Sequence, residues 1–202
     1  MFRHLFKKFI SIKQKTVPLS IQLEKLGQIG ISINSTIDSS EIFNIFEEKE
    51  FEQDPYCSIL IALGCEVQTS DDFGKPISKS LWYLDTECIE DTGDYVRIVG
   101  RVADLTQDSL LLSNIHDYVD IDNKKVWVAF NIGDKKYKWE LEAKDDWLDI
   151  NIFSRFNKLL SNKKSTKQFA ISVLDQSILI AFLENDQVQK LNDLCNFEFE
   201  IV

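Results

Sequence analysis

A chain of 202 residues can bury roughly 70% of its unfolded surface as one domain, and it leaves little room for two. Its composition, with 44% hydrophobic residues, 14 Phe, only 7 Gly and 3 Pro, excludes global disorder and long flexible linkers. No apolar run approaches the roughly 18 residues of a membrane-spanning helix, so we expect a soluble protein without a membrane span.

The charge is unevenly distributed along the chain. Residues 1–15 contain five basic and no acidic side chains, which leaves −15 for the rest of a chain whose net charge is −10. We interpret residues 1–19 as a basic N-terminal arm or short helix and residues 20–202 as a single α+β domain. An acidic domain repels phosphates, so we expect no nucleic-acid ligand. A basic protein is the expected partner, because complementary potentials speed encounter.

The segment before residue 80 is predicted to be mainly helical. Residues 20–26 favour a short helix, and Asp38 with Glu41 resembles a capping box that opens a second helix ending near Pro55. The apolar run at 56–63 is compatible with a strand or a buried helix, and we favour the helix. Residues 69–79 are predicted to form a loop.

A strand and a helix follow, with an acidic stretch between them. Residues 81–84 read as a strand, and the apolar positions of residues 95–105 have helical spacing. Asp94 is a candidate cap for that helix, and nearby acids favour its positive N-terminus.

Residues 125–160 are predicted to organise the fold. Apolar residues alternate on both sides of Gly133-Asp134, which is typical of a β-hairpin with a two-residue loop. Behind Asp149, a good N-cap residue, the period changes from 2 to 3.6, which predicts a helix. We expect the hairpin to pack one face on this helix.

The C-terminal segment completes the predicted architecture. Residues 168–173 alternate as a half-exposed strand, and the unbroken apolar run at 178–183 indicates a strand covered on both faces or in mid-sheet. A short helix and a closing strand at residues 197–201 follow. The C-terminal half is therefore predicted to be ββαββαβ, an α+β fold with a largely antiparallel sheet packed against helices.

Familiar catalytic patterns are absent from the sequence. The four cysteines never form a CxxC pair, and the two histidines lie too far from them for a zinc signature. GxGxxG, GxxxxGK[ST] and GxSxG do not occur. We therefore expect reduced, buried thiols in a cytoplasmic protein, no cofactor, no resident metal and no enzymatic activity.

Carboxylates form the one cluster that stands out. Residues 85–94 contain five acids and no base, and a second acidic group lies at residues 145–149. We interpret these groups as helix-capping charge or as a protein-binding patch, and a metal or general acid–base site is the alternative. Tryptophans are expected in the core or on sheet faces, and an exposed Trp147 would anchor a partner. The candidate partner-binding residues are Asp85, Glu87, Glu90, Asp91, Asp94, Asp145, Asp146 and Trp147.

Several blocks of the chain resemble bacterial immunity proteins of polymorphic toxin and contact-dependent growth inhibition systems. These blocks are DPYCSILIALGCEV (54–67), WYLDTECIEDTGDYVRI (82–98), VWVAFNIGDKKYKWELEAKDDWLD (126–149), LDQSILIAFL (174–183) and LNDL (191–194). The resemblance implies no catalytic residues. It implies a stoichiometric inhibitor that covers the active site or substrate groove of a cognate toxin domain, possible toxins including basic nucleases. The alternatives are a metal-dependent hydrolase using Asp85 to Asp94 and a small ligand-binding module near Trp82 or Trp139.

Overall fold

The computed structural model describes residues 16–67 and 74–202. Residues 1–15, which carry most of the expected basic arm, lie outside the described residues, so that arm stays a prediction, as does the part of the predicted loop at 69–73. The α-helices are α1 (Leu19–Gln28), α2 (Glu48–Gln53), α3 (Cys57–Gly64), α4 (Asp94–Thr106), α5 (Asn151–Asn162) and α6 (Asn185–Leu194). The strands are β1 (Glu66–Val67), β2 (Lys75–Pro76), β3 (Leu81–Asp85), β4 (Leu112–Asp120), β5 (Lys125–Ile132), β6 (Lys135–Leu141), β7 (Lys167–Leu174), β8 (Ser177–Glu184) and β9 (Glu200–Ile201).

The described strands form separate antiparallel sheets. A four-stranded sheet has the order β3-β8-β7-β9, a three-stranded sheet has the order β4-β5-β6, and β1 pairs with β2. The element order from β5 to β9 is ββαββαβ. The predicted α+β class and the order of the C-terminal half are therefore confirmed, with the strands divided between sheets.

The four-stranded sheet is the middle layer of the molecule. Along β8, Ile178, Ile180 and Phe182 pack into a core shared with α4, α5 and the three-stranded sheet. The alternate residues Leu179 and Ala181 pack into a second core shared with α1, α3 and α6. Because successive side chains of a strand point to opposite faces, the unbroken apolar run of β8 is explained by cover on both faces.

Helix α5 lies between the two larger sheets. On one side the Phe156 ring lies 5.5 Å from that of Phe130 on β5 and 4.9 Å from that of Trp139 on β6. On the other side Phe153 lies 5.7 Å from Phe169 on β7. The predicted hairpin is confirmed, because Ile132 pairs with Lys135 across a two-residue loop, and so is its packing on the helix.

The helix predicted between Asp38 and Pro55 is divided in two. The carboxylate of Asp38 accepts a hydrogen bond from Ser40 N at 2.9 Å, but it opens only a 3₁₀ helix at Ser39–Asn44. Helix α2 then begins separately, and Glu50 Oε2 accepts a hydrogen bond from Glu47 N at 2.8 Å at its start. The apolar run at 56–63 forms helix α3, as we expected, and all of its residues are buried.

Candidate functional site

Backbone hydrogen bonds place the two acidic segments of the sequence side by side. Leu148 N donates to Thr86 O at 2.8 Å, and Ile89 N donates to Asp146 O at 2.9 Å. Glu87 and Trp147 form an antiparallel bridge between these two bonds. We define the acidic surface as Asp85, Glu87, Glu90, Asp91, Asp94, Asp145, Asp146 and Trp147. Glu87 and Trp147, which are 60 positions apart in the chain, therefore belong to one surface.

A tight turn displays two of the acids. Trp147 N donates to Lys144 O at 3.0 Å, which closes a four-residue turn with Asp145 and Asp146 at its centre. Asp145 has φ +48°, a left-handed conformation that Asp tolerates better than most residues. Both carboxylates are exposed. Trp147 is half-buried, and Lys144 Nζ lies 5.8 Å from its ring centroid, so the ring is only partly available as an anchor.

The turn between β7 and β8 adds a third segment to this surface. Gln176 O accepts hydrogen bonds from Thr86 N at 2.9 Å and from Thr86 Oγ1 at 2.6 Å. The side-chain amide of Gln176 donates to Glu87 Oε1 at 2.8 Å, which orients that carboxylate. Asp175 is exposed in the same turn, with φ +63°. Sequence reasoning missed Asp175 because the pairing of β3 with β8 was not predicted.

Asp94 is part of the site, but it does not cap helix α4. Its Oδ2 accepts from Glu90 N at 2.8 Å and from Asp91 N at 2.9 Å, so it closes the preceding loop. Asp85, Glu87, Glu90 and Asp91 are exposed on that loop. The carboxylate of Asp94 thus holds the loop, and the other four carboxylates face solvent.

Asp117 of β4 caps helix α4 instead. Gly93 N lies 2.9 and 3.0 Å from its two carboxylate oxygens, and Oδ2 also accepts from Tyr95 N at 2.9 Å and from Val96 N at 3.2 Å. The side chain is 8% exposed. A buried carboxylate at a helix N-terminus is stabilised by the unpaired N–H groups and the helix dipole there. No short-range sequence signal identifies this cap, because it lies 22 residues from Tyr95.

Asp149 holds the second acidic segment. It is buried, and its carboxylate accepts from Glu142 N and Asn151 N, each at 3.1 Å. Its role at the start of α5 agrees with the expected cap, although the helix begins two residues later. Asp149 N donates to the hydroxyl of Tyr95 at 3.0 Å, which joins α4 to the loop before α5. Asp149 therefore fixes the second acidic segment to α5 and, through Tyr95, to α4, the helix that the first acidic segment precedes.

The arrangement supplies negative charge and hydrogen-bond acceptors. Among residues 16–67 and 74–202, no three His, Cys, Asp or Glu side chains are gathered where they could hold a metal ion. His116 is exposed, with Nδ1 2.9 Å from Asn114 O. The four thiols are unpaired, and burial raises the pKa of Cys57 to about 12 and that of the others to about 11. These four thiols belong to Cys57, Cys65, Cys88 and Cys195.

Comparison of the chain with models of known protein families, with curated proteins and with solved structures gives no match. A separate search of the helices in the described part of the chain finds none that combines the length and the apolarity needed to cross a bilayer.

Proposed function

We propose that the protein is an acidic immunity protein, which neutralises a cognate toxin domain by binding it directly and stoichiometrically. The observation that carries the proposal is the pairing of residues 86–89 with residues 146–148, which joins the two acidic segments into one surface. The partner is a basic domain, because a concentrated negative surface attracts Lys and Arg clusters and raises the association rate.

The acidic surface is preorganised for binding. Its loops are tied by backbone hydrogen bonds to each other, by Gln176 to the β7–β8 turn, and by Asp117 and Asp149 to α4 and α5. A surface that is ordered before the encounter loses less conformational entropy on binding. Rigid acidic loops therefore suit an inhibitor that must occupy a basic groove tightly.

The resemblance to immunity proteins supports the class of partner. A nuclease toxin carries a basic groove for phosphates, and the carboxylates of this surface offer the same sign of charge. No observation at this surface favours the alternatives. Its carboxylates other than Asp94 are exposed, no three of the described ones are gathered where they could hold a metal ion, and Trp82 is buried in the core beside Phe153. We propose that the inhibitor acts in the cytoplasm of the producing cell.

Charge reversal tests this proposal against a matched control. The first variant combines Glu87→Lys, Asp145→Lys and Asp146→Lys. The control combines Glu24→Lys, Glu48→Lys and Asp193→Lys, which are exposed acids outside the acidic surface and give the same change in net charge. Each protein is co-purified with the toxin domain encoded beside its gene, and each is tested for protection of cells that express that toxin.

We expect the acidic-surface variant to bind roughly tenfold or more weakly than the control, since steering by local charge changes association rates by about 10–1000-fold. Its protection of cells should fall with its affinity. Equal losses in the two variants would place the contact elsewhere. Absence of binding and of protection with every neighbouring toxin would overturn the function itself.

A further inference from the structure

A polar cleft lies at the other end of the four-stranded sheet. Its volume is about 760 Å³, and its walls come from the loop after α1, the end of α4, the loop between α5 and β7, and the residues before β3. Leu105 and Phe182, both buried, form an apolar part of its floor. The cleft is not lined by any residue of the acidic surface.

Three lysines line the cleft on a chain that is strongly acidic elsewhere. Lys79, Lys164 and Lys167 come from two separate segments and are all exposed. None of their ammonium groups lies within 4.0 Å of a described carboxylate, whereas Lys138 and Lys190 each have such a neighbour. No carboxylate is among the lining side chains that the structure describes. The described lining side chains therefore concentrate positive charge. One carboxylate lies next to them, since Glu184 Oε1 accepts from Thr166 Oγ1 at 2.8 Å.

Stabilisation by a helix C-terminus explains the position of only one of the three lysines. Lys164 follows the C-terminus of α5, where a cation is stabilised by the last carbonyl groups. Lys79 precedes β3 and Lys167 begins β7, so neither is placed at a helix C-terminus. Stabilisation of a cation at a helix C-terminus therefore does not explain why Lys79 and Lys167 lie in the cleft with Lys164.

Hydroxyl groups and unusual backbone conformations complete the lining. Four of the lining hydroxyls already donate within the protein, so only their oxygens are available, as acceptors. They belong to Ser80, Thr106, Ser165 and Thr166, which donate to Gly30 O, Val102 O, Lys167 O and Glu184 Oε1. Gln107 has φ +49° and ψ −124°, a conformation that non-glycine residues rarely adopt. Lys164 has φ +59°. The left-handed conformation of Lys164 is the common end of a helix, since Ser165 N donates to Leu160 O at 3.0 Å, so the termination of α5 explains it.

The volume of the cleft favours an organic ligand over a small inorganic ion. At roughly 30 Å³ for each water, the cleft has room for about 25 waters, which is far more than one phosphate group needs. Its size lies within the usual range for sites that bind small organic molecules. An apolar floor beside charged walls suits a ligand with one anionic group and one less polar part.

We propose that this cleft binds a small organic phosphate, with its phosphate group against Lys79, Lys164 and Lys167 and its organic part over Leu105 and Phe182. Lysine binds phosphate as a point charge and carries three N–H donors, so the lysines make the contacts to the phosphate oxygens. The oxygens of the four lining hydroxyls whose hydrogens are already donated within the protein accept hydrogen bonds from the organic part. The inference is independent of the proposed function, because it uses none of the residues of the acidic surface.

Calorimetric titration of the full chain with four probes tests the proposal. The probes are adenosine 5′-monophosphate, ribose 5-phosphate, inorganic phosphate and uncharged adenosine. We expect the two organic phosphates to bind more tightly than inorganic phosphate, because they also cover the floor, and adenosine to bind least. Affinity for the organic phosphates should fall with added salt.

A triple variant and a matched control locate the site. Lys79→Gln, Lys164→Gln and Lys167→Gln together should weaken binding of the organic phosphates by roughly tenfold or more, since hydrogen bonds to charged groups are the strong ones. The control combines Lys124→Gln, Lys158→Gln and Lys163→Gln, which are exposed, remove the same charge and do not line the cleft. It should bind as the wild type does.

Two results would overturn the proposal. One is the absence of binding by every anionic probe at millimolar concentration. The other is an equal loss in the triple variant and its control, which would indicate attraction to general surface charge. The single variants Lys79→Gln and Lys167→Gln change exposed side chains outside helices, so each keeps the test valid if the triple variant does not fold. In that case, the backbone amide NMR signals that shift when the ligand is titrated must belong to residues 79–80 and 164–167.

Discussion

Replacing Asp117 by alanine tests whether one buried carboxylate holds the acidic loop against helix α4. The carboxylate accepts from the backbone N–H groups of Gly93, Tyr95 and Val96, at distances between 2.9 and 3.2 Å. Alanine leaves all three donors without this acceptor. The first turn of α4 and the end of the acidic loop should therefore loosen together.

The size of the effect follows from the exposure of the three donors. Loss of a helix cap costs about 1 kcal/mol on average. Gly93 is exposed and Val96 is half-buried, so water replaces part of what they lose, but Tyr95 is fully buried. An unpaired buried N–H costs about 1–3 kcal/mol. We expect Asp117→Ala to lower the free energy of unfolding by about 2–3 kcal/mol, a combination of these two effects.

Urea unfolding followed by circular dichroism measures this loss, with Asp122→Ala as the control. Asp122 is exposed in the turn after the same strand, so its replacement should change the free energy by less than about 0.5 kcal/mol. The unfolding slope should be unchanged, because the same surface is exposed. Amide exchange at Tyr95 and Val96 should accelerate in Asp117→Ala. A stability within about 0.5 kcal/mol of the wild type would refute the capping role.

Three further perturbations test the packing and the thiols. Gly64→Ala should lower the free energy of unfolding by about 1–3 kcal/mol, because the new Cβ would lie 2.6 Å from Tyr83 N. The control Gly27→Ala places its Cβ where nothing lies within 4 Å, so it should stabilise α1 by about 0.5–1 kcal/mol in the same urea assay. Asn157→Leu should cost about 1–3 kcal/mol, because it leaves the N–H of Phe169 unpaired and leaves the C=O of Phe169 with only the 3.4 Å hydrogen bond from Val202 N; a normal urea midpoint would contradict this. Burial raises the pKa of the four thiols above the unfolded value of 9.0, so their stabilising contribution is complete below pH 9. It is lost as pH rises through about 11 for Cys65, Cys88 and Cys195 and through about 12 for Cys57. Iodoacetamide at pH 8 should label the folded protein far more slowly than the urea-unfolded protein, and equal rates by mass spectrometry would show that the thiols are accessible.

Local patterns in the sequence predicted the elements that depend on neighbouring residues. Alternation around Gly133 indicated the hairpin, and spacing near 3.6 indicated α5, because each pattern reports which side of one element faces the core. Strand partners depend on residues far apart in the chain, and no local pattern specifies them. The pairing of Trp82 with Ile180 is an example, and so is the division into separate sheets.

The candidate site was predicted in part for the same reason. Its acidic residues stood out because they are clustered in the sequence at 85–94 and 145–147. Their joining by the Glu87–Trp147 bridge required the tertiary structure. Asp175 was missed because no other acid lies beside it in the sequence. The cleft was missed because Lys79 lies far along the chain from Lys164 and Lys167, and only the tertiary structure brings them together. Asp94 was expected to cap α4, but a carboxylate from a distant strand had better access to the helix N-terminus.

The acidic surface and the lysine-lined cleft lie at opposite ends of the same elements. Strand β3 follows Lys79 and Ser80 at the cleft and ends at Asp85, and helix α4 runs from Asp94 to Thr106 at the cleft. Thirteen residues of helix at 1.5 Å each separate the two ends by about 20 Å. The N-terminus of α4 faces the acids and its C-terminus faces the cleft lysines. The helix dipole therefore stabilises negative charge at the first end and positive charge at the second.

Two charged ends at this separation should bind their ligands independently. The Debye length is about 8 Å at physiological ionic strength, so an anion in the cleft is largely screened from a basic partner at the acidic surface. Substitutions more than about 10 Å apart usually have additive effects. Saturating adenosine 5′-monophosphate should therefore leave the affinity for the toxin domain unchanged within about twofold. A larger change would show that the two ends are coupled through the shared elements, since coupling of binding free energies is reciprocal and requires two states that both ligands distinguish.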